Sequence, residues 1–409
     1  MMTTVELAIT TMAHGGSGIG RLDGRVVFCP GVIPGEIIEA EIVDDSKKSL
    51  WWARAVSVVS PSPHRVPHVW PEANISRPWT LRAGGADYGH IELGHQRRLK
   101  TDILRDALER FGGLSPEKLG NLTVKGVPGD DVGNGTGWRT RVSLHANDSG
   151  FLGPFAEKTH TVIPVTTLPL ATRNIQRCGV LDAAYQGAKS IRVVDAPSGV
   201  RLIIDDQKPQ EIVEVVQGHE FALSDHSFWQ IHHQAPEILR GAVSRAVIRD
   251  LLVPDAPNAD LYSGVGLLGH ALATLSSETL TLTAVESEAS ALNYLERNLS
   301  EVTHLTAVAD RVDRWLSHQV RTLGAEEKEK WRKATILLDP PRSGAKAEVI
   351  DSLTKLSPAQ IVYVACDPVA LGRDAGLLQK AGYDMVFIEA WDLFPHTHHL
   401  ETIATFVKT

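Results

Sequence analysis

The sequence predicts an α/β protein: a doubly wound, Rossmann-like sheet in its C-terminal part, preceded by an OB-like β-barrel and a β-rich central domain. After Phe228-Trp229-Gln230, apolar runs rich in β-branched residues alternate with amphipathic stretches up to the C-terminus, the pattern of a sheet with helices on both faces. Residues 1–60 carry several short alternating runs separated by glycines. Between residues 121 and 226 strand signals predominate. A chain of 409 residues exceeds one ordinary domain, and these changes of character divide it into 1–60, 61–226 and 227–409.

Composition narrows the class. Hydrophobic residues make up 43% and charged residues 22%, the balance of a globular chain. No run approaches the length of a membrane span, and Met-Met-Thr-Thr-Val-Glu lacks the basic and apolar regions of a signal peptide, so a cytoplasmic monomer with no membrane partner is expected. The three cysteines, Cys29, Cys178 and Cys366, are odd in number and widely spaced, which argues against a disulfide framework or a cysteine-built metal cage. The formal charge of -8 does not announce a nucleic-acid binder, although a local basic face can sit on an acidic chain.

In the first segment Val5 to Ile9 alternates, Gly15, Gly16, Gly18 and Gly20 supply turns, and Val26 to Phe28, Glu36 to Val43 and Ala53 to Val59 complete a set of barrel strands. The stretch His14 to Gly24 followed by Val26-Val27-Phe28-Cys29-Pro30-Gly31 resembles the TRAM domain found at the front of some RNA-modifying enzymes. Prolines at 61, 63, 67, 71 and 78 make residues 60–94 a linker or irregular lobe. Gln96 to Phe111 then has the apolar spacing of an amphipathic helix, closed by Gly112-Gly113. This helix is a candidate to pack on the C-terminal domain.

The middle segment holds strand signals at Leu122–Val127, Arg139–Ala146, Thr161–Val165, Ser190–Val194, Val200–Ile204 and Glu211–Val216. Arg139 and Arg141 flank one strand residue beside Trp138 and are expected to share a face suited to phosphates and stacked bases. Beyond Gln230, the charged run Glu326 to Lys333 reads as an exposed helix or loop.

The chemistry is concentrated after residue 227. Asp260-Leu261-Tyr262-Ser263-Gly264-Val265-Gly266 lies at a strand-to-helix turn, where glycines let the backbone approach a ligand. The spacing is not Gly-x-Gly-x-x-Gly, so a pyrophosphate cradle and a nicotinamide oxidoreductase are disfavoured. Glu286 ends the second strand, placed to accept hydrogen bonds from ribose hydroxyls, and Asp310 ends the third apolar stretch within reach of an adenine. In Ile336-Leu337-Leu338-Asp339-Pro340-Pro341-Arg342 an acid at a buried strand end is followed by a rigid loop. Ile361 to Cys366 reads as a strand buried on both faces that Pro368 stops, which puts Cys366 at the ligand edge of the sheet.

Ser227-Phe228-Trp229-Gln230, Asp260 to Gly266, Asp339-Pro340-Pro341-Arg342, Tyr363 to Pro368 and Phe394-Pro395-His396-Thr397-His398-His399-Leu400-Glu401 resemble, in order and spacing, the motifs of the uracil-5 RNA methyltransferases. The resemblance covers nearly the whole chain. It implies a class I methyltransferase domain over 227–409 that uses S-adenosylmethionine to make 5-methyluridine in transfer or ribosomal RNA. By the same resemblance Cys366 is the nucleophile that adds to carbon 6 of uracil, Glu401 is the base that removes the carbon 5 proton, and Gln230, Tyr262, Glu286 and Asp339 hold the methyl donor, while Gly264 in the glycine turn and Asp310 at the third strand end are placed there by the strand pattern alone. The target nucleotide would be flipped out of its stack. No metal is implied at His396, His398 and His399.

Three departures stand out. Many relatives carry four cysteines for an iron-sulfur cluster, but here the run reads Ala83-Gly84-Gly85-Ala86, Trp70 precedes Pro71 near the first ligand position, and Leu168-Pro169 stands at the last, so a cluster-free member is expected. Asp367 replaces the Asn that commonly follows the cysteine, adding a negative charge that should raise the thiol pKa unless offset. Leu267 replaces a polar residue after the glycine turn. A fold that binds RNA with impaired catalysis is therefore the competing expectation.

Overall fold

The computed structural model describes residues 4–156, 159–276 and 278–409. The N-terminal strands β1 (Thr4–Met12), β2 (Ser17–Leu22), β3 (Arg25–Pro30), β4 (Ile37–Asp44) and β5 (Leu50–Ser60) close into a barrel in the order β1-β2-β3-β5-β4. Their period-2 alternation turns Leu7, Ile9, Val27, Cys29, Ile38, Ala40, Ala53 and Ala55 inward to form the barrel core. Cys29 is thus a core residue.

The irregular lobe after the barrel leads into α1 (Leu93–Arg110) and α2 (Pro116–Leu119), followed by the short strand β6 (Val124–Gly126). A four-stranded sheet follows, built from β7 (Arg141–Ala146), β8 (Leu152–Gly153), β9 (Ser190–Ala196) and β10 (Gly199–Ile204) in the order β10-β9-β7-β8, with α3 (Arg173–Arg177) beside it. The Thr161–Val165 segment forms no strand; its one bridge joins Val162 to Phe155, and Pro164 has no N–H to extend a ladder. The hairpin β11 (Glu211–Val216) and β12 (His219–Ser224) stands apart as a two-stranded sheet.

The C-terminal part contains α4 (Ala235–Ala246), β13 (Asn258–Leu261), α5 (Leu267–Ala273), β14 (Thr281–Glu286), α6 (Ala289–Asn298), β15 (His304–Ala309), α7 (Val312–Thr322), α8 (Ala325–Trp331), β16 (Thr335–Leu338), α9 (Lys346–Leu356), β17 (Gln360–Ala365), α10 (Pro368–Lys380), β18 (Tyr383–Asp392) and β19 (Glu401–Lys408). Its eight-stranded sheet runs β15-β14-β13-β16-β17-β19-β18-β6. The first five strands are parallel, and β19 is antiparallel to both β17 and β18. Alternate residues of one strand enter two cores: Ile336 and Leu338 face α7, α9 and α10, while Leu337 faces α4, α5 and α6. That two-sided burial explains the unbroken apolar runs in the sequence.

Two pieces of the 61–226 segment join this C-terminal layer. Strand β6 pairs with β18 at the sheet edge. Helix α1 lies directly on α10: a Cβ at Gly372 would fall 2.4 Å from the Ala107 carbonyl oxygen, and one at Gly376 would fall 2.5 Å from that of Phe111. Backbones approach this closely only where side chains are missing. The hairpin β11–β12 is also tied to the C-terminal part, because Asn298 bonds both the N–H and the carbonyl of Ala222. Among the described residues no helix is long and apolar enough to cross a membrane.

Candidate active site

Four strand ends converge on one edge of the large sheet. β13 leads to the Tyr262–Gly266 turn and β16 leads to Asp339. β17 leads to Cys366. Antiparallel β19 starts there with Glu401, and its register sets Ala365 opposite Thr402, so the residues flanking that pair, Cys366 and Glu401, reach the same edge. The order β13-β16-β17-β19 therefore places the glycine turn, Asp339, Cys366 and Glu401 side by side. Open α/β sheets bind their ligands at this edge.

The turn after β13 is shaped by positive φ at Tyr262 (65°), Gly264 (51°) and Gly266 (94°). A Cβ on Gly264 would meet open space, whereas the backbone N–H of Gly264 donates to Glu286 Oε2 at 3.0 Å. Glu286 Oε1 accepts the N–H of Glu288 at 2.8 Å, so this carboxylate is pinned at the tip of β14. A cleft runs past Trp229, Gln230, Asp260, Tyr262, Gly264 and Asp339. It continues beyond Tyr262 between Ser287, Val312 and Pro341. Asp310 stands next to Glu286 by a backbone bond of 3.1 Å, but its carboxylate turns to Arg314, and Arg311 and Asp313 line the cleft in its place.

Polar atoms in this cleft are short of partners. The hydroxyl of Ser263 is buried with no hydrogen bond, and the buried Asp260 carboxylate has only the backbone N–H of Gly269 near it and no close side-chain partner. Burial, with Asp339 beside it, pushes the Asp260 carboxyl up to about 8. Buried polar groups this short of partners are rare in native proteins, and a bound ligand that carries N–H, O–H or positive charge would satisfy them. An S-adenosyl group offers all three, so the residues present fit it.

At the reaction end, burial, then Glu401 and Asp339, push the Cys366 thiol up to about 12, with Arg342 opposing them and Asp367 adding to them. Burial, reinforced by Asp339, holds the Glu401 carboxyl well above the usual range. The loop after Asp339 is fixed by Asp374, whose Oδ2 accepts from the Ala345 N–H and from the Tyr363 hydroxyl, both at 2.8 Å. The loop before Glu401 is clamped by Gln96 and Lys100 of α1. Gln96 Oε1 accepts the His396 N–H at 2.8 Å, and Lys100 Nζ donates to the Phe394 carbonyl at 3.1 Å while pairing with buried Asp392. His396, His398 and His399 do not point at one centre. His396 faces Asn134 and Gln96, His398 faces Asp87, and burial next to His398 and Arg342 holds His399 neutral, its pKa lowered to about 3.

The paired arginines separate. Arg139 precedes β7, and its Nε donates to the Arg141 carbonyl at 2.8 Å; burial and the nearby Arg342 lower its pKa. Arg141 lies on β7 and pairs with Glu214 at 3.3 Å. The shared strand face expected from the sequence does not form, because the strand begins only at Arg141. Asp260 and Arg342 lie within quoted motifs but carry no sequence signal as site-forming charges, whereas Asp367, read from the sequence as a charge that raises the thiol pKa, does so here. His14, which donates to Asp367 at 2.8 Å across 353 positions, left no signal in the sequence.

The residues expected from the sequence at or near cluster-ligand positions come together. Trp70, Ala83, Ala86 and Leu168 are all buried in one apolar cluster with Trp138 and Ile163.

Comparison with known proteins agrees with this geometry. Residues 187–408 match the tRNA (Uracil-5-)-methyltransferase family and residues 2–51 match the TRAM domain. An RNA methyltransferase of Bifidobacterium longum is 31% identical, over 100% of this chain and 97% of its own. One of Streptomyces avermitilis is also 31% identical, over 98% and 97%. The crystal structure of Pyrococcus abyssi tRNA (uracil-54, C5)-methyltransferase in complex with S-adenosyl-L-homocysteine superposes with a TM-score of 0.67 at 22% identity, covering 98% of this chain and 100% of that one, which establishes the shared fold. With the two end domains matched and whole-length relatives at this identity, the chain belongs to the tRNA (uracil-5-)-methyltransferase family and is an S-adenosylmethionine-dependent RNA methyltransferase.

Proposed function

We propose that this protein methylates carbon 5 of a uridine in tRNA or rRNA, acting as a monomer, through a covalent adduct between Cys366 and carbon 6. The observation that carries this reading is the register of β17 against β19, whose last pair, Ala365 with Thr402, brings Cys366 and Glu401 to the same sheet edge within electrostatic reach of each other, one strand from Asp339. Gln230, Tyr262, Gly264, Glu286 and Asp339 are the residues assigned to the methyl donor, with Asp260 as a further acceptor and Asp310, its side chain turned to Arg314, bordering the site through its backbone bond to Glu286. Bound S-adenosylmethionine supplies an electrophilic methyl group on a positively charged sulfur.

The protein's own groups divide the work. The Cys366 thiol gives up its proton to solvent, its sulfur bonds to carbon 6, and the electrons of the carbon 5–carbon 6 double bond move toward the carbon 4 carbonyl oxygen, which turns carbon 5 into a nucleophile. Once carbon 5 is methylated, Glu401 takes its proton, the carbon 5–carbon 6 double bond re-forms, and the sulfur leaves with its electron pair. Arg342, the cation that opposes the carboxylates around the thiol, favours its ionised form. Arg139, next to Arg342, and Arg141 are the candidate phosphate contacts. Trp70, Ala83, Ala86 and Leu168, expected from the sequence at or near cluster-ligand positions, pack in one apolar group, and we assign this chain no cluster.

Purified protein incubated with labelled donor and unmodified tRNA and rRNA should form 5-methyluridine, and Cys366→Ala should form none. Glu401→Gln should accumulate an RNA–protein adduct that survives denaturing gels, because the proton that releases the sulfur is no longer removed. Equal inactivity of wild type and Cys366→Ala on every RNA would favour an RNA-binding protein that has lost catalysis.

A further inference from the structure

The N-terminal barrel touches both loops that carry the reacting side chains. His14, in the turn between β1 and β2, donates its Nε2–H to Asp367 Oδ2 at 2.8 Å, with the two side chains 32% and 20% exposed. The other oxygen of Asp367 accepts the Ala370 N–H at 2.8 Å and caps α10. The same barrel turn seats against the loop before Glu401. The His14 and His398 rings meet edge-on at 6.1 Å, and a Cβ on Gly16 would fall 2.7 Å from Asp87 Oδ2 and 3.2 Å from the His398 Cβ. Asp87 in turn accepts from both the backbone N–H and the Nδ1 of His398, at 2.9 and 2.7 Å.

We propose that His14 is a positioning residue for methyl transfer: by hydrogen-bonding the Asp367 carboxylate and holding it against the N-terminus of α10, it keeps that charge turned from the Cys366 sulfur and fixes the cysteine loop. This rests on the reading of Cys366 as nucleophile. Asp367 adjoins Cys366 in the chain and adds to the charges that oppose thiolate formation. A carboxylate bonded on one side to a helix N-terminus and on the other to an imidazole N–H has its charge spread over those donors. Burial raises the Asp367 pKa, but the His14 and Ala370 bonds outweigh it and hold the carboxyl ionised. The charged and titratable groups that face this pair and the thiol are His398 and Asp87 from the loops, His399 and Arg342 next to them, and Asp339 and Glu401 from the strand ends.

The test is a cycle of single-turnover methylation rates for wild type, His14→Ala, Asp367→Asn and the double variant, with Cys366→Ala as the control. His14→Ala should slow transfer at least tenfold at saturating RNA, move the rising limb of the pH–rate profile to higher pH, and leave the RNA dissociation constant within twofold. His14→Gln, whose amide N–H can reach the same oxygen, should keep most of the rate. In the Asp367→Asn background, His14→Ala should change the rate less than twofold, because no charge remains to be held. A His14→Ala enzyme at the wild-type rate, or one slowed equally in both backgrounds, overturns the proposal. If Cys366→Ala itself transfers methyl as well as wild type, the nucleophile reading falls first, whatever His14 does.

Discussion

At Cys366 the substrate-free enzyme keeps its sulfur protonated, since burial and the carboxyl groups of Glu401 and Asp339 push the thiol up to about 12. The thiolate is the reactive form. Where the pKa lies above the working range, the thiolate fraction rises about tenfold for each pH unit. Alkylation of Cys366 by iodoacetamide, followed by peptide mass spectrometry, should therefore be slow at pH 7 and should accelerate by about that factor per unit up to pH 9. A rate already level at pH 8 would show that the thiol titrates far lower. Addition of the positively charged donor should speed the reaction at fixed pH, because a cation near Asp260 and Asp339 offsets the carboxylates around the sulfur.

Among the elements, α10 does two things at once. Its N-terminus follows Cys366 immediately, and its Gly372 and Gly376 let α1 lie against it with backbone in contact. From α1, Gln96 and Lys100 then reach the loop before Glu401. Gly376→Leu would drive a side chain into the Phe111 carbonyl and should cost about 1–3 kcal/mol, as over-packing does. Urea unfolding would show it as a lower midpoint at constant slope, and methyl transfer should fall as the loop loosens. An unchanged midpoint would mean that the two helices are not in close contact.

For the molecule as a whole, the segment between barrel and catalytic sheet is held by apolar packing. Trp70, Ala83, Ala86 and Leu168 belong to one buried group. Trp70→Ala should destabilise the protein by about 3–5 kcal/mol, the usual cost of emptying a large aromatic site. Calorimetry or urea unfolding would measure it, and a loss under about 1 kcal/mol would mean the site collapses without cost. The purified protein should also be colourless, with less than stoichiometric iron; a visible absorption band with bound iron would contradict the assignment.

Much of the site was legible because its parts are local. A strand followed by a glycine turn, an acid before two prolines, and a buried run stopped at Cys366-Asp367-Pro368 each reveal their position through period and punctuation within a few residues. Arg139 and Arg141 were legible as charges but not as a pair, since only the start of β7 decides which of them is on a strand.

By itself the sequence determined the alternation of strands and helices after Gln230 and the strand end at which Cys366 stands, while Glu401 was legible only through the family resemblance. Only the tertiary structure decided what lies across long separations: that α1 and β6 belong with the C-terminal sheet, that Trp70, Ala83, Ala86 and Leu168 meet, and that His14 of the barrel reaches Asp367. The physical reason is that backbone period and turn chemistry act between near neighbours, whereas a hydrogen bond across 353 positions depends on how closed units pack. The added charge of Asp367, unexplained in the sequence, has two donors in the structure, an imidazole and a helix N-terminus.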